Sequence, residues 1–241
     1  TRFRPGDEVF GIGKGAYAEY ARAPEDKLAP KPANLTFDQA AVVAISGLTA
    51  LQALRDQGRI AAGQNVLIIG ASGGVGTYAV QIAKAYSAHV TGVCSTTKTD
   101  LVRSIGADRV IDYTQDDFAD GEHRYDLVID IGGNSSLSRL RRALTPTGTL
   151  VIVGGEGGGR WLGGLDRLLR ARLVSPFVSQ ELTTKMPSEN VEDMLALTEL
   201  IEAGKVTPVI DRTFALSEVP KAIRYMEEGH ARGKVVITLD A

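Results

Sequence analysis

Residues 70–76 read Gly-Ala-Ser-Gly-Gly-Val-Gly. Before them runs Val66-Leu67-Ile68-Ile69, an unbroken apolar stretch of the kind a central parallel strand shows when both of its faces are buried. After them Val75, Ala79, Ile82, Ala83 and Tyr86 fall on one helical face. A glycine turn between a buried strand and a helix leaves few folds open. The first turn of a helix offers unpaired N–H groups and the positive end of the dipole, which suits a diphosphate. Side chains larger than hydrogen hinder the close backbone approach that such a ligand needs. Gly76 and Ala79 let the helix lie close to its strand.

The rest of the chain repeats the alternation. Strands are predicted at His89–Val93, Arg109–Ile111, Leu127–Ile131 and Thr149–Val153, with helices near Asp100–Ser104 and Leu137–Ala143 between them. This βαβα rhythm predicts a doubly wound parallel sheet. Upstream, Glu8–Phe10 and Ala16–Ala21 read as short strands, broken by Gly11, Gly13 and Gly15. Thr36 with Gln39 forms a capping box that starts a helical stretch running through Leu48, Leu51 and Leu54 to Gly58. Downstream, residues 154–159 are too glycine-rich for regular structure. A helix from Glu189 to Ala203 stops at Gly204. Another has Ser217 as N-cap, Pro220 in its first turn and Gly229 as its stop, and Val235–Ile237 is a last strand.

The glycine spacing fits two patterns, G-x-x-G-x-x-G through Gly70, Gly73 and Gly76, and G-x-x-x-G-x-G through Gly70, Gly74 and Gly76. The second belongs to short-chain dehydrogenases, which carry it near the N-terminus and require Tyr-x-x-x-Lys. Here the motif starts at residue 70, and no tyrosine has a lysine four residues later. A Walker loop is excluded, because no Gly-Lys-Thr/Ser follows.

An NAD site places Asp or Glu at the end of the second strand, where it grips the ribose 2′-hydroxyl. In this chain that place reads Cys94-Ser95-Thr96-Thr97-Lys98, with no acid before Asp100. Ser95, Thr96 and Lys98 can donate to a 2′-phosphate that a carboxylate would repel. The cofactor expected is therefore NADP (NADPH). A methyltransferase would also want the missing acid.

Composition narrows the function classes. Lys and Arg number 27 against 29 Asp and Glu, for a net charge of −2, so a basic nucleic-acid-binding face is not expected. The single cysteine, Cys94, excludes an internal disulfide and a multi-cysteine zinc site within the chain. No apolar run approaches the ~20 residues of a membrane helix, and residues 1–30 show no signal-peptide pattern. The expectation is a cytoplasmic protein with no membrane or nucleic-acid partner.

Several strings together resemble one family. They are Phe3-Arg4-Pro5-Gly6-Asp7-Glu8-Val9-Phe10, Gly15-Ala16-Tyr17-Ala18-Glu19-Tyr20, Leu35–Ala41, Gly47-Leu48-Thr49-Ala50, Gly70–Gly76, Ile105-Gly106-Ala107-Asp108, Asp112-Tyr113 and Gly233-Lys234-Val235-Val236. The chain is similar, over nearly its whole length, to the medium-chain dehydrogenase/reductases in their zinc-free, quinone-oxidoreductase-like branch. The resemblance implies an α/β fold, a Rossmann-type doubly wound parallel sheet plus a partial GroES-like β-barrel domain. It divides the chain into the remainder of the barrel domain (1–35), an NADP-binding domain (36–214) and a C-terminal helix and strand that return to the barrel domain (215–241). It assigns cofactor contacts to Thr49 at the nicotinamide, to Ser72, Gly73, Gly74 and Val75 at the diphosphate, to Ser95, Lys98 and Tyr113 at the 2′-phosphate, and to Val153, Gly154 and Gly155 at the carboxamide. It names no catalytic residue.

The activity implied is hydride transfer from NADPH to a small electrophile, a quinone or an α,β-unsaturated carbonyl. Two alternatives stand beside it. One is a zinc alcohol dehydrogenase with ligands in a missing N-terminal part, although Ala44-Ile45 stand where that branch carries a cysteine. The other is a non-catalytic NADPH-binding protein. His89, His123 and His230 lack ligand spacing, so no metal site is expected. The resemblance also implies a chain that begins inside the barrel, which predicts cofactor binding with weak turnover. It implies a homodimer too, with residues 174–178 as the pairing edge despite Pro176.

Overall fold

The structure, a computed structural model, describes residues 2–153, 179–184 and 188–239. Its centre is a six-stranded sheet. The strands are β3 (Asn65–Ile69), β4 (His89–Cys94), β5 (Arg109–Asp112), β6 (Tyr125–Asp130), β7 (Leu144–Ile152) and β8 (Glu181–Thr183), following β1 (Val9–Gly11) and β2 (Leu28–Pro30) in the chain. Their order is β5-β4-β3-β6-β7-β8, and every neighbouring pair is parallel. The expected doubly wound Rossmann-type sheet is thus present, and its strand order reverses between β3 and β6, where such sheets open a crevice at their carboxyl ends.

Burial on both faces explains the unbroken apolar strands. Val66 and Ile68 of β3, with Leu127 and Ile129 of β6, join one core with α1 (Phe37–Ala41), α2 (Ala44–Gln52), α3 (Gly74–Ala85) and α4 (Thr99–Ser104). Leu67 and Ile69, with Val128, join a second core against Leu140 of α5 (Leu137–Ala143). Each such buried aliphatic side chain contributes roughly 1.5–3 kcal/mol relative to exposure.

The capping box forms: Gln39 N–H donates to Thr36 Oγ1 and Thr36 N–H donates to Gln39 Oε1. The helical stretch after it breaks into α1 and α2 and then a π-turn at Ala53–Gln57. The buried Tyr78 hydroxyl donates to the Val42 carbonyl at 3.1 Å, taking up an acceptor at the break between α1 and α2.

Three further differences from the sequence reading have physical causes. Ala16–Ala21 forms no strand; Lys14 and Arg22 close it as an isolated antiparallel bridge, and Tyr17 and Tyr20 are exposed, with no neighbouring strand among the described residues to complete a ladder. The strand beside β1 is instead β2. Ser217 does not cap the helix α7 (Val219–Glu227), which follows α6 (Val191–Glu202). It lies in a 3-10 turn, Leu216–Glu218, because Pro220 in the first turn removes an N–H that a cap would satisfy.

The last strand, β10 (Lys234–Thr238), pairs in parallel with β9 (Ile210–Ala215), a strand that spans the 214/215 division. No described helix is long and apolar enough to cross a membrane.

Candidate functional site

The glycine turn is shaped by contacts that forbid side chains. Gly70 ends β3 with φ +87°, and a Cβ there would lie 3.1 Å from the Gly132 nitrogen beyond β6. A Cβ on Gly76 would lie 2.1 Å from the Gly70 carbonyl oxygen, so the helix approaches the strand end as closely as glycine allows. Gly73 is the N-cap of α3, and no side chain caps that helix. An uncapped helix start beside a Cβ-free cradle fits a phosphate-bearing ligand.

Beside this turn a groove of about 340 Å³ opens at the carboxyl ends of the strands. Ser72, Ser95, Lys98 and Tyr113 all line it, so four residues from three separate stretches of the sequence meet at one groove. Gly73, Gly74 and Val75 form the start of α3 next to Ser72. Thr49 and Val153 stand outside the lining. The Thr49 hydroxyl donates to Ile45 O one turn back in α2 at 2.7 Å, and Val153 N–H donates to Asp130 O at 2.9 Å as β7 ends. Gly154, Gly155 and the 174–178 segment with Pro176 lie outside the described residues.

The structure changes how some of these side chains are engaged. Thr96 does not line the groove; its hydroxyl donates to Asp112 at 2.5 Å. Asp112 is an acid that the sheet register brings beside Cys94. The Thr96 hydrogen bond, working against burial and aided by bonds from Thr114 and Gln115, holds its carboxyl below the ordinary value. Lys98 donates to the carbonyls of Ala231 at 2.9 Å and Gly229 at 3.4 Å. Cys94 lines the groove from the end of β4, and burial, reinforced by the Asp112 charge, pushes its thiol up to about 11.

A family model described as zinc-binding dehydrogenase matches residues 105–237, more than half of the chain. The bovine (Bos taurus) mitochondrial NAD(P)H oxidoreductase RTN4IP1 is 36% identical over 266 residues, spanning 98% of this chain and 65% of that protein. Among solved structures, the quinone oxidoreductase from Coxiella burnetii superposes with a TM-score of 0.85 at 31% identity, covering 100% of this chain and 74% of that one. The chain is a quinone-oxidoreductase-like member of the medium-chain dehydrogenase/reductase superfamily. A further solved structure, the mycobacterial protein Rv1454c complexed with NADPH, superposes with a TM-score of 0.83 at 27% identity over 98% of this chain and 75% of its own. This member of the superfamily spans about two thirds of the length of the RTN4IP1 relative.

The groove of this medium-chain dehydrogenase/reductase also contains residues that the sequence reading passed over. Phe118, Asn134, Ser135 and Arg139 also line it, with the Arg139 guanidinium stacked over the Phe118 ring at 4.4 Å and paired to Asp117. The signal for them was Gly132-Gly133 after β6, the mark of a second close turn at the neighbouring strand end.

Zinc fits these residues poorly. Among the described residues that line the groove, Cys94 is the one histidine, cysteine or acidic donor. Ala44 and Ile45 offer no ligand atom. Among the described residues, the group whose donor atoms could share an ion is Asp120, Glu122 and His123, all exposed on the connection before β6, at the opposite end of the sheet. In that loop Asp120 already accepts from the backbone of Glu122 and His123 and from the His123 ring.

Proposed function

We propose that this oxidoreductase uses NADPH and transfers hydride, without zinc, to a quinone or an α,β-unsaturated carbonyl. The observation that carries the proposal is the convergence of Ser95, Lys98 and Tyr113 on one groove at the place where an NAD enzyme presents a carboxylate. Ser95 and Tyr113 bring hydroxyl donors and Lys98 a charge to a 2′-phosphate. The uncapped start of α3 and the Gly70–Gly76 cradle receive the diphosphate. When bound, the cofactor supplies the hydride and this chain supplies orientation and exclusion of water. The names of the relatives, an NAD(P)H oxidoreductase and a quinone oxidoreductase, support the same reading.

The groove's poor zinc donor set supports polarisation of the acceptor by hydrogen-bond donors or solvent rather than by a metal. We also propose a homodimer, the assembly implied by the family resemblance. A micromolar solution studied by light scattering should show twice the 25.6 kDa chain mass; a monomer overturns this part.

The test of function is a cofactor titration followed by steady-state oxidation of NADPH with a simple quinone, with and without a metal chelator. NADPH should bind and be consumed, chelator should change neither, and NADH should serve less well. Activity that depends on added zinc, or equal use of the two cofactors, contradicts the corresponding part of the proposal.

A further inference from the structure

Lys234 opens β10, and its aliphatic stem lies across the start of α3. A Cβ on Gly74 would stand 2.8 Å from Lys234 Cδ and 3.3 Å from Ser46 Oγ. The backbone holds the strand there. Gly233 N–H donates to Ser72 O at 2.9 Å, Gly73 and Gly233 form an isolated parallel bridge, and Lys234 N–H donates to Val209 O at 2.9 Å. Gly233 has φ +85°, and a Cβ on it would meet Val209 O at 2.5 Å. The position of the lysine is therefore built into the junction between the C-terminal strand and the glycine turn.

Among the described residues the charge at this junction meets no counter-charge. Lys234 is half-buried, and burial holds its ammonium below the ordinary lysine value. No carboxylate pairs with it among the described residues. Beside it is the start of a twelve-residue helix without a side-chain cap, which carries the positive end of the helix dipole. A half-buried cation next to a positive helix end is unfavourable on both counts. Such local conflicts persist in a fold where a ligand supplies the missing charge.

We propose that Lys234 is a second cation of the dinucleotide site, acting on the diphosphate from the C-terminal strand, while Lys98 acts on the 2′-phosphate. The proposal rests on the reading of the groove as a nicotinamide dinucleotide site. It also gives Gly74 a role beyond ligand clearance: it makes room for the lysine stem.

The experiment titrates the purified chain and its K234M and K234R variants with NADPH, NADH and adenosine 2′-phosphate, which lacks the diphosphate. K234M should weaken NADPH and NADH alike, by about tenfold or more, and leave adenosine 2′-phosphate unchanged. K234R should keep most of the affinity. The ligand-free melting temperature of K234M should match or exceed that of the unmutated chain, because an unpaired cation has been removed at constant volume. K234M binding both dinucleotides normally overturns this proposal alone. So does equal loss of adenosine 2′-phosphate, or a lowered ligand-free melting temperature, since either marks a packing role. Failure of the unmutated chain to bind any dinucleotide overturns the reading of the groove and this proposal with it.

Discussion

The Lys98 ammonium donates to the backbone carbonyl of Ala231 at 2.9 Å, joining the end of β4 to the loop between α7 and β10. The side chain proposed to meet the 2′-phosphate thus also holds the C-terminal segment that reaches the glycine turn. NADPH is expected to bind at least about tenfold more tightly than NADH, a difference of about 1.4 kcal/mol. Lys98→Ala should erode that preference by weakening NADPH far more than NADH. Superimposable titration curves for the two cofactors in the unmutated chain would remove the basis for this.

The glycines of the turn should separate by substitution. Gly76→Ala drives a Cβ to 2.1 Å from Gly70 O and should cost roughly 3 kcal/mol or more in unfolding free energy. Gly73 has φ −84°, and a Cβ there meets only Gly70 O, at 3.5 Å. Gly73→Val should therefore keep the melting temperature within a few degrees while cutting NADPH affinity. Denaturation curves and cofactor titrations on the same two variants read both effects, and a Gly73→Val chain with normal affinity contradicts the phosphate site.

Acid sensitivity should centre on Asp193. Burial alone would raise its pKa, but hydrogen bonds from Asn190, Arg55 and Gln52 more than reverse this and hold it below 3.8. A depressed carboxylate contributes stability that is complete above its unfolded value and is lost as pH falls through the folded value. Asp193→Asn should lower the urea midpoint at neutral pH, and the gap to the unmutated chain should close as pH drops below 4. A gap that stays constant with pH would show that the charge is not what stabilises this contact.

Cys94 should be a silent thiol. With its pKa near 11 and its side chain buried, iodoacetamide at pH 8 should leave it unlabelled in the folded chain and modify it fully in denaturant. Rapid native labelling, read by intact mass, would contradict the buried placement.

The buried strand runs, the alternation and the glycine string are local signals, so the sheet, its parallel sense and the turn at residues 70–76 were legible in the sequence. Period and turn chemistry act within a few residues, and the tertiary fold obeyed them. The same holds for the Thr36–Gln39 cap and the helix stops at Gly204 and Gly229, which have φ of +69° and +71°. Pairing was not legible. Ala16–Ala21 has the pattern of a strand but no partner strand among the described residues, whereas Leu28–Pro30 becomes one because β1 lies beside it. What surrounds a side chain also needed three dimensions. Thr96 looked like a phosphate donor until the register of β5 brought Asp112 to its hydroxyl. Arg139 and Phe118 joined the groove only because β6 sits next to β3. Lys234, remote in sequence from Gly74, gained its meaning from a single parallel bridge at Gly73 and Gly233. Local sequence specifies the elements through backbone conformation and burial period, while long-range register decides which charges and hydroxyls meet.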